Sequence, residues 1–195
     1  VRSRRQRQMC IRDRWLRDRM KFFKKAPETE KIIKSLKDNN NIYLVPAFTG
    51  LGAPYWDANT RGLLTGITRD TSPKEIVRAT IEAVAYQTYD LFEAMKHDGL
   101  RPKIVKVDGG MVMNSWFSQF LSDIVNVKVL RPRVQETTAL GAAFMAGLQI
   151  GVYKSLKDIS KNWHLDKKFS PKMKNQDRNK LLKGWSVAIK KTLTN

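Results

Sequence analysis

The residues best suited to chemistry are Asp108-Gly109-Gly110 and Asn114. They follow the short β-branched run Lys103–Val107, which reads as a strand, and they open an apolar-periodic segment that reads as a helix. A phosphate or a nucleoside can lie against backbone only where no Cβ intrudes, and glycine permits that. Amides at the start of the next helix would add donors and a partial positive field. Asn114 stands four residues beyond Gly110, about one turn into that helix, and its amide both donates and accepts. Such a group suits the sugar or base edge of a nucleotide. Alone, a glycine pair after a strand more often makes an ordinary tight connection. Neither G-x-x-x-x-G-K-S/T nor G-x-G-x-x-G occurs, which excludes a P-loop and a dinucleotide fingerprint.

The elements that must position these residues follow from periodicity and punctuation. Trp15–Lys24 is compatible with an amphipathic helix, and Glu28–Leu36 has helical spacing. Ile42–Phe48 and Gly62–Thr68 read as strands. Between them, Thr49–Asp57 holds two glycines and a proline, which preclude regular structure, and two large aromatics, Tyr55 and Trp56. A long helix should start with Ser72 as N-cap, Pro73 in the first position and Glu75 complementing the dipole, and run to about Lys96. Asn114–Val125 reads as a helix and Val127–Leu130 as a strand. Thr137 should cap a small-residue helix reaching Ile150, whose alanines and glycines suggest close packing. A short helix near Leu156, a polar Lys-rich connection and a final helix, Asn175–Leu193, complete the chain. Strands alternating with helices predict an α/β fold with helices packed on a sheet.

Composition narrows the function. The formal net charge is +19, which invites a nucleic-acid reading. Much of the excess sits at the two ends, and the C-terminal lysines are interleaved with apolar residues like a solvated helix face. No specific nucleic-acid partner is therefore expected. No apolar run is long enough to span a bilayer. The single cysteine, Cys10, excludes an internal disulfide and a Cys-based zinc site, and points to the reducing cytoplasm. His97 and His164 have no ligand spacing, so no metal site is expected.

Residues 1–14, VRSRRQRQMCIRDR, differ from the rest. They lack the apolar core of a secretion signal and the amphipathic spacing of an organelle signal. The string QRQMCIRDR is expected to be translated adaptor sequence, with native sequence resuming at Trp15.

Longer patterns carry a resemblance. Gly62-Leu63-Leu64-Thr65-Gly66-Ile67, with Glu75-Ile76 and Ala79-Thr80-Ile81-Glu82, resembles the second signature of the carbohydrate kinases, which include glycerol, xylulose, ribulose, fuculose and gluconate kinases. Trp15-Leu16-Arg17-Asp18, PAFTGLGAPYWD (46–57), ATIEAVAYQTYD (79–90), VDGGMVMN (107–114), Ser122-Asp123-Ile124 and ETTALGAAFMAGL (136–148) resemble the glycerol kinases in particular.

The resemblance implies an actin-like, ribonuclease-H-like fold with a mixed sheet. Two such domains would close over MgATP and a polyol, and residues 15–195 match the C-terminal, nucleotide-binding one. It implies that Gly110 and Asn114 contact the nucleotide, that Gly109 completes the turn, and that the catalytic aspartate and polyol ligands lie outside this chain. The family's Gly-x-x-x-Gln pattern before Trp15 is broken here, with Arg14 in place of the Gln. The implied reaction transfers the γ-phosphoryl group of ATP, with Mg2+, to glycerol, giving sn-glycerol 3-phosphate. The implied assembly is a homodimer or homotetramer. Another polyol or sugar as acceptor, or a non-catalytic actin-like nucleotide-binding module, are the alternatives.

Overall fold

The structure, a computed structural model, describes residues 11–134 and 136–194. The atypical segment 1–14 lies mostly outside these, including Cys10. From Ile11 the order is α1 (Ile11–Arg14), a π-helical turn (Trp15–Arg19), α2 (Glu28–Lys34), β1 (Tyr43–Val45), β2 (Leu63–Thr65) and α3 (Pro73–His97). Then come β3 (Ile104–Lys106), a 3-10 turn (Gly110–Met113), α4 (Ser115–Val125), β4 (Lys128–Pro132), α5 (Thr137–Gln149), α6 (Leu156–Ser160), β5 (Leu165–Phe169) and α7 (Asn175–Thr192).

Two sheets form among the described residues. β1 and β2 pair antiparallel. β3, β4 and β5 form the mixed sheet: β3 runs parallel to β4, and β5 antiparallel to it. Helix α3 packs against α2, α4 and β1 and is the spine of the molecule. Its start follows from local chemistry. The Ser72 hydroxyl accepts from Lys74 N at 3.3 Å, and the Glu75 carboxylate accepts from Ser72 N at 2.9 Å.

The core gathers where α3, α4 and α7 meet. Tyr86 stacks on Trp185 at 5.3 Å and meets Phe120 edge-on at 5.7 Å. Glu82 is wholly buried there. It pairs with Arg78 at 2.7 Å and accepts from Asn39 Nδ2 and Tyr86 Oη, each at 3.0 Å. Burial pushes its carboxyl up, and the Arg78 charge opposes that. Arg78 also donates to Leu36 O at 3.0 Å, which ties the end of the α2 region to the spine.

Three expectations need correction. Trp15–Lys24 is not an α-helix: one π-turn ends at Arg19, and the chain then continues irregularly, with Leu16 and Phe23 buried against Val77. The Lys-rich connection contains a strand, β5, in which only Phe169 is buried. Its lysines stand where an edge strand meets solvent, so no apolar alternation marks it. The small residues of α5 are mostly not packed. Gly147 admits the Tyr153 ring at close range, but nothing lies within 4 Å of a Cβ placed on Gly141.

Candidate functional site

The glycine turn leaves β3 at the top of the mixed sheet. Val107 N still donates to Leu130 O at 3.1 Å, so the pairing runs one residue past β3. Gly109 then takes φ 85°, ψ 175°, a conformation essentially confined to glycine. Gly110 opens the 3-10 turn with an ordinary φ. A Cβ on either glycine would meet nothing within 4 Å. The turn thus offers bare backbone to open space.

Asn114 sits differently from its expected position. It is the N-cap of α4, with φ −68° and ψ 104°, rather than a residue one turn inside. The 3-10 turn uses up the residues that would have formed that first turn. Its Oδ1 accepts from Phe117 N at 2.9 Å, and its Nδ2 donates to Thr29 Oγ1 at 3.4 Å. Thr29 in turn donates to Ala26 O at 2.7 Å. One amide hydrogen and one carbonyl lone pair of Asn114 remain for something outside the described residues.

The start of α4 is also charged differently from expectation. Glu30 accepts from Ser115 N at 3.3 Å and pairs with Lys34 at 2.6 Å. The helix dipole is already matched by this carboxylate.

The turn is held from beneath by residues that sequence reasoning missed. Arg131, on β4, is 8% exposed. Its Nη1 donates to Val112 O at 2.9 Å, Met113 O at 3.3 Å and Ser115 Oγ at 3.4 Å. Its Nε donates to Asp166 Oδ2, on β5, at 2.7 Å. Ser118 Oγ also donates to Val112 O, at 3.0 Å. A signal existed: Arg131 lies two residues from Val129, on the buried face of β4. Thr137 does not cap α5. Glu136 holds the N-cap position, and the Thr137 hydroxyl donates to the Asp108 carboxylate.

The aromatic loop 49–57 divides its two large rings. Tyr55 packs on the core, and its hydroxyl donates to Asp90, which also accepts from Trp185 Nε1 at 2.8 Å. Burial and the Asp90 charge push the Tyr55 phenol up. Trp56 is 78% exposed. Tyr55 therefore holds the loop shut, and Trp56 does not. Among the described residues, no group of three or more His, Cys, Asp or Glu could hold a metal ion, and no helix is long and apolar enough to cross a membrane.

Residues 6–150 match the sequence pattern of the C-terminal domain of the FGGY family of carbohydrate kinases. The chain belongs to this family. It is 52% identical over 177 residues to glycerol kinase 1 of Pseudomonas aeruginosa, covering 91% of this chain and 36% of that protein. It is 49% identical over 180 residues to a glycerol kinase of Clostridium botulinum, covering 92% and 36%. The structure of Plasmodium falciparum glycerol kinase with ADP superposes with a TM-score of 0.81 at 34% identity, covering 93% of this chain and 36% of that one. The FGGY chain described here thus spans about a third of the length of these relatives. Its fold is the actin-like, ribonuclease-H-like ATPase fold, and its mixed sheet agrees with the expectation from sequence.

Proposed function

We propose that this FGGY domain supplies the adenosine-binding wall of an ATP-dependent glycerol kinase. The observation that carries the reading is the pairing of bare backbone at Gly109 and Gly110 with the half-satisfied amide of Asn114. The nucleoside lies along Asn114, whose amide keeps one donor and one acceptor site for it. The phosphates lie toward the glycine turn. The kinship with a glycerol kinase structure containing ADP supports an adenine nucleotide as the ligand.

In this reading ATP, with Mg2+, donates its γ-phosphoryl group to the 3-hydroxyl of glycerol. Phosphoryl transfer depends chiefly on positioning and charge stabilisation, so a wall that fixes the adenosine contributes by orientation. Mg2+ is held by phosphates and water. The base that accepts the hydroxyl proton lies outside this chain. The one-sided, open character of the site supports a cleft whose second wall is another domain. The same reading includes a cytoplasmic enzyme that assembles as a dimer or tetramer, with native sequence resuming near Trp15 after the translated adaptor.

The test uses the full-length protein. Glycerol-dependent ADP formation is expected, with slower turnover on xylulose and gluconate. Asn114→Ala should raise the Kd for ADP about tenfold, the loss of one or two hydrogen bonds. An unchanged Kd would remove the nucleotide role of this site. The 195-residue chain alone should show no glycerol-dependent ATP consumption.

A further inference from the structure

We infer that the Arg131–Asp166 pair is a positioning device for the nucleotide turn: it sets nucleotide affinity from beneath, without touching the nucleotide. The inference rests on the nucleotide reading above.

The argument begins with desolvation. A guanidinium that is 8% exposed loses most of its water and is retained only where its donors are paired. For stability alone, a well-packed apolar residue commonly does as well as a buried ion pair. Arg131 instead spends its fork on direction. Nη1 reaches the carbonyls of Val112 and Met113, the last two residues of the 3-10 turn, and the hydroxyl of Ser115, the first residue of α4. Nε reaches Asp166 on the outermost strand at 2.7 Å.

These contacts span the segment that joins Gly110 to Asn114. A 3-10 turn has weak internal hydrogen bonds and bends easily. Its shape fixes the offset between the bare backbone of Gly110 and the amide of Asn114. The planar guanidinium cannot aim Nη1 and Nε independently. Asp166 therefore sets the direction in which Nη1 pulls the turn. Asp166 is itself half-exposed, with its side chain 41% exposed, and Asp166→Asn keeps an oxygen that can accept from Nε, so the fold tolerates the loss of its charge. Lysine at 131 keeps the charge but loses the fork.

The experiment compares Asp166→Asn, Arg131→Lys and Asn114→Ala in the full-length protein. The readouts are ADP Kd by titration calorimetry, the KM values for ATP and glycerol, kcat and the thermal midpoint. Asp166→Asn should raise ADP Kd and the KM for ATP about three- to tenfold, as expected when an ion-pair hydrogen bond loses the charge of its acceptor. The KM for glycerol, kcat and the thermal midpoint should stay near the parent values. Arg131→Lys should raise ADP Kd at least as much, and Asp166→Asn added to it should have little further effect. A merely structural pair would lower the thermal midpoint and leave ADP Kd unchanged in Asp166→Asn. That result, alongside a weakened Asn114→Ala, overturns the positioning role and leaves the site intact. An unchanged Asn114→Ala instead overturns the nucleotide reading, and the positioning role with it. Asp166→Asn keeps the test decisive where Arg131→Lys fails to fold.

Discussion

Loop 46–57 and turn 107–114 both carry two glycines and one aspartate, yet the first closes Gly50 and its aspartate on the chain itself, leaving only Gly52 open, and the second leaves both glycines open. In the first, the space beside Gly50 is already filled: with φ +92°, it has Asp57 O and Ala58 Cα 2.8 Å from where its Cβ would stand. The aspartate is buried too. Asp57 accepts from Asn59 N, Thr60 N and Thr194 N at 3.0, 3.1 and 2.8 Å. In the second, Gly109 and Gly110 face empty space, and Asp108 is exposed with one partner among the described residues, Thr137. The first loop anchors Gly50 and Asp57 within the chain. The second leaves room that none of the described residues fills. A loop closed on itself serves folding, and one left open serves a ligand.

The contrast can be broken by substitution. Gly50→Ala should have the largest effect, a loss of about 3 kcal/mol in stability from overpacking and backbone strain together. Denaturant unfolding of the full-length protein measures it, and a neutral result would erase the distinction between the loops. Gly109→Ala comes next, at about 2 kcal/mol by the same measurement, because it is strained but unobstructed. Gly110→Ala sharpens the comparison most. Stability should change by less than about 0.5 kcal/mol, while ADP Kd should rise about tenfold, or ~1.4 kcal/mol of binding. A stability loss without a binding loss would make Gly110 a folding residue.

The smallest effect concerns acid. Hydrogen bonds from Thr60 and Thr194 hold the Asp57 carboxyl well below the usual carboxylate range. A depressed carboxylate stabilises the fold above its unfolded pKa, about 4, and that stability is lost as pH falls below it. Asp57→Asn should therefore flatten the fall in thermal midpoint at acid pH, most visibly in scans between about pH 2 and pH 5. An unaltered pH profile would mean that the carboxylate is not the anchor of the C-terminal Thr194.

Much of this was legible in the residues. Ser72, Pro73 and Glu75 fixed the start of α3 because capping is local chemistry. The glycine turn was found because a strand, a glycine pair and an apolar helix follow one another directly. What escaped notice depended on distant partners. Asn114 could not be seen as an N-cap without the intervening 3-10 turn. Glu30 could not be placed at the start of α4 when 85 residues separate it from Ser115. Arg131 carried no visible role because its partners, Asp166 and the Val112 carbonyl, lie 35 and 19 residues away in sequence. β5 was hidden because its lysines break the alternation that reveals a half-buried strand.

Those lysines bear on the large positive charge with which the sequence opened. β5 ends the mixed sheet, and the far side of an outermost strand is a template on which another chain can add itself. Lys167 and Lys168 stand there, flanked by Lys172. A second sheet sliding into register would have to strip water from ammonium groups with no counter-charge of its own to offer. Part of the basicity that suggested nucleic acid thus works as a guard against fibrous self-association.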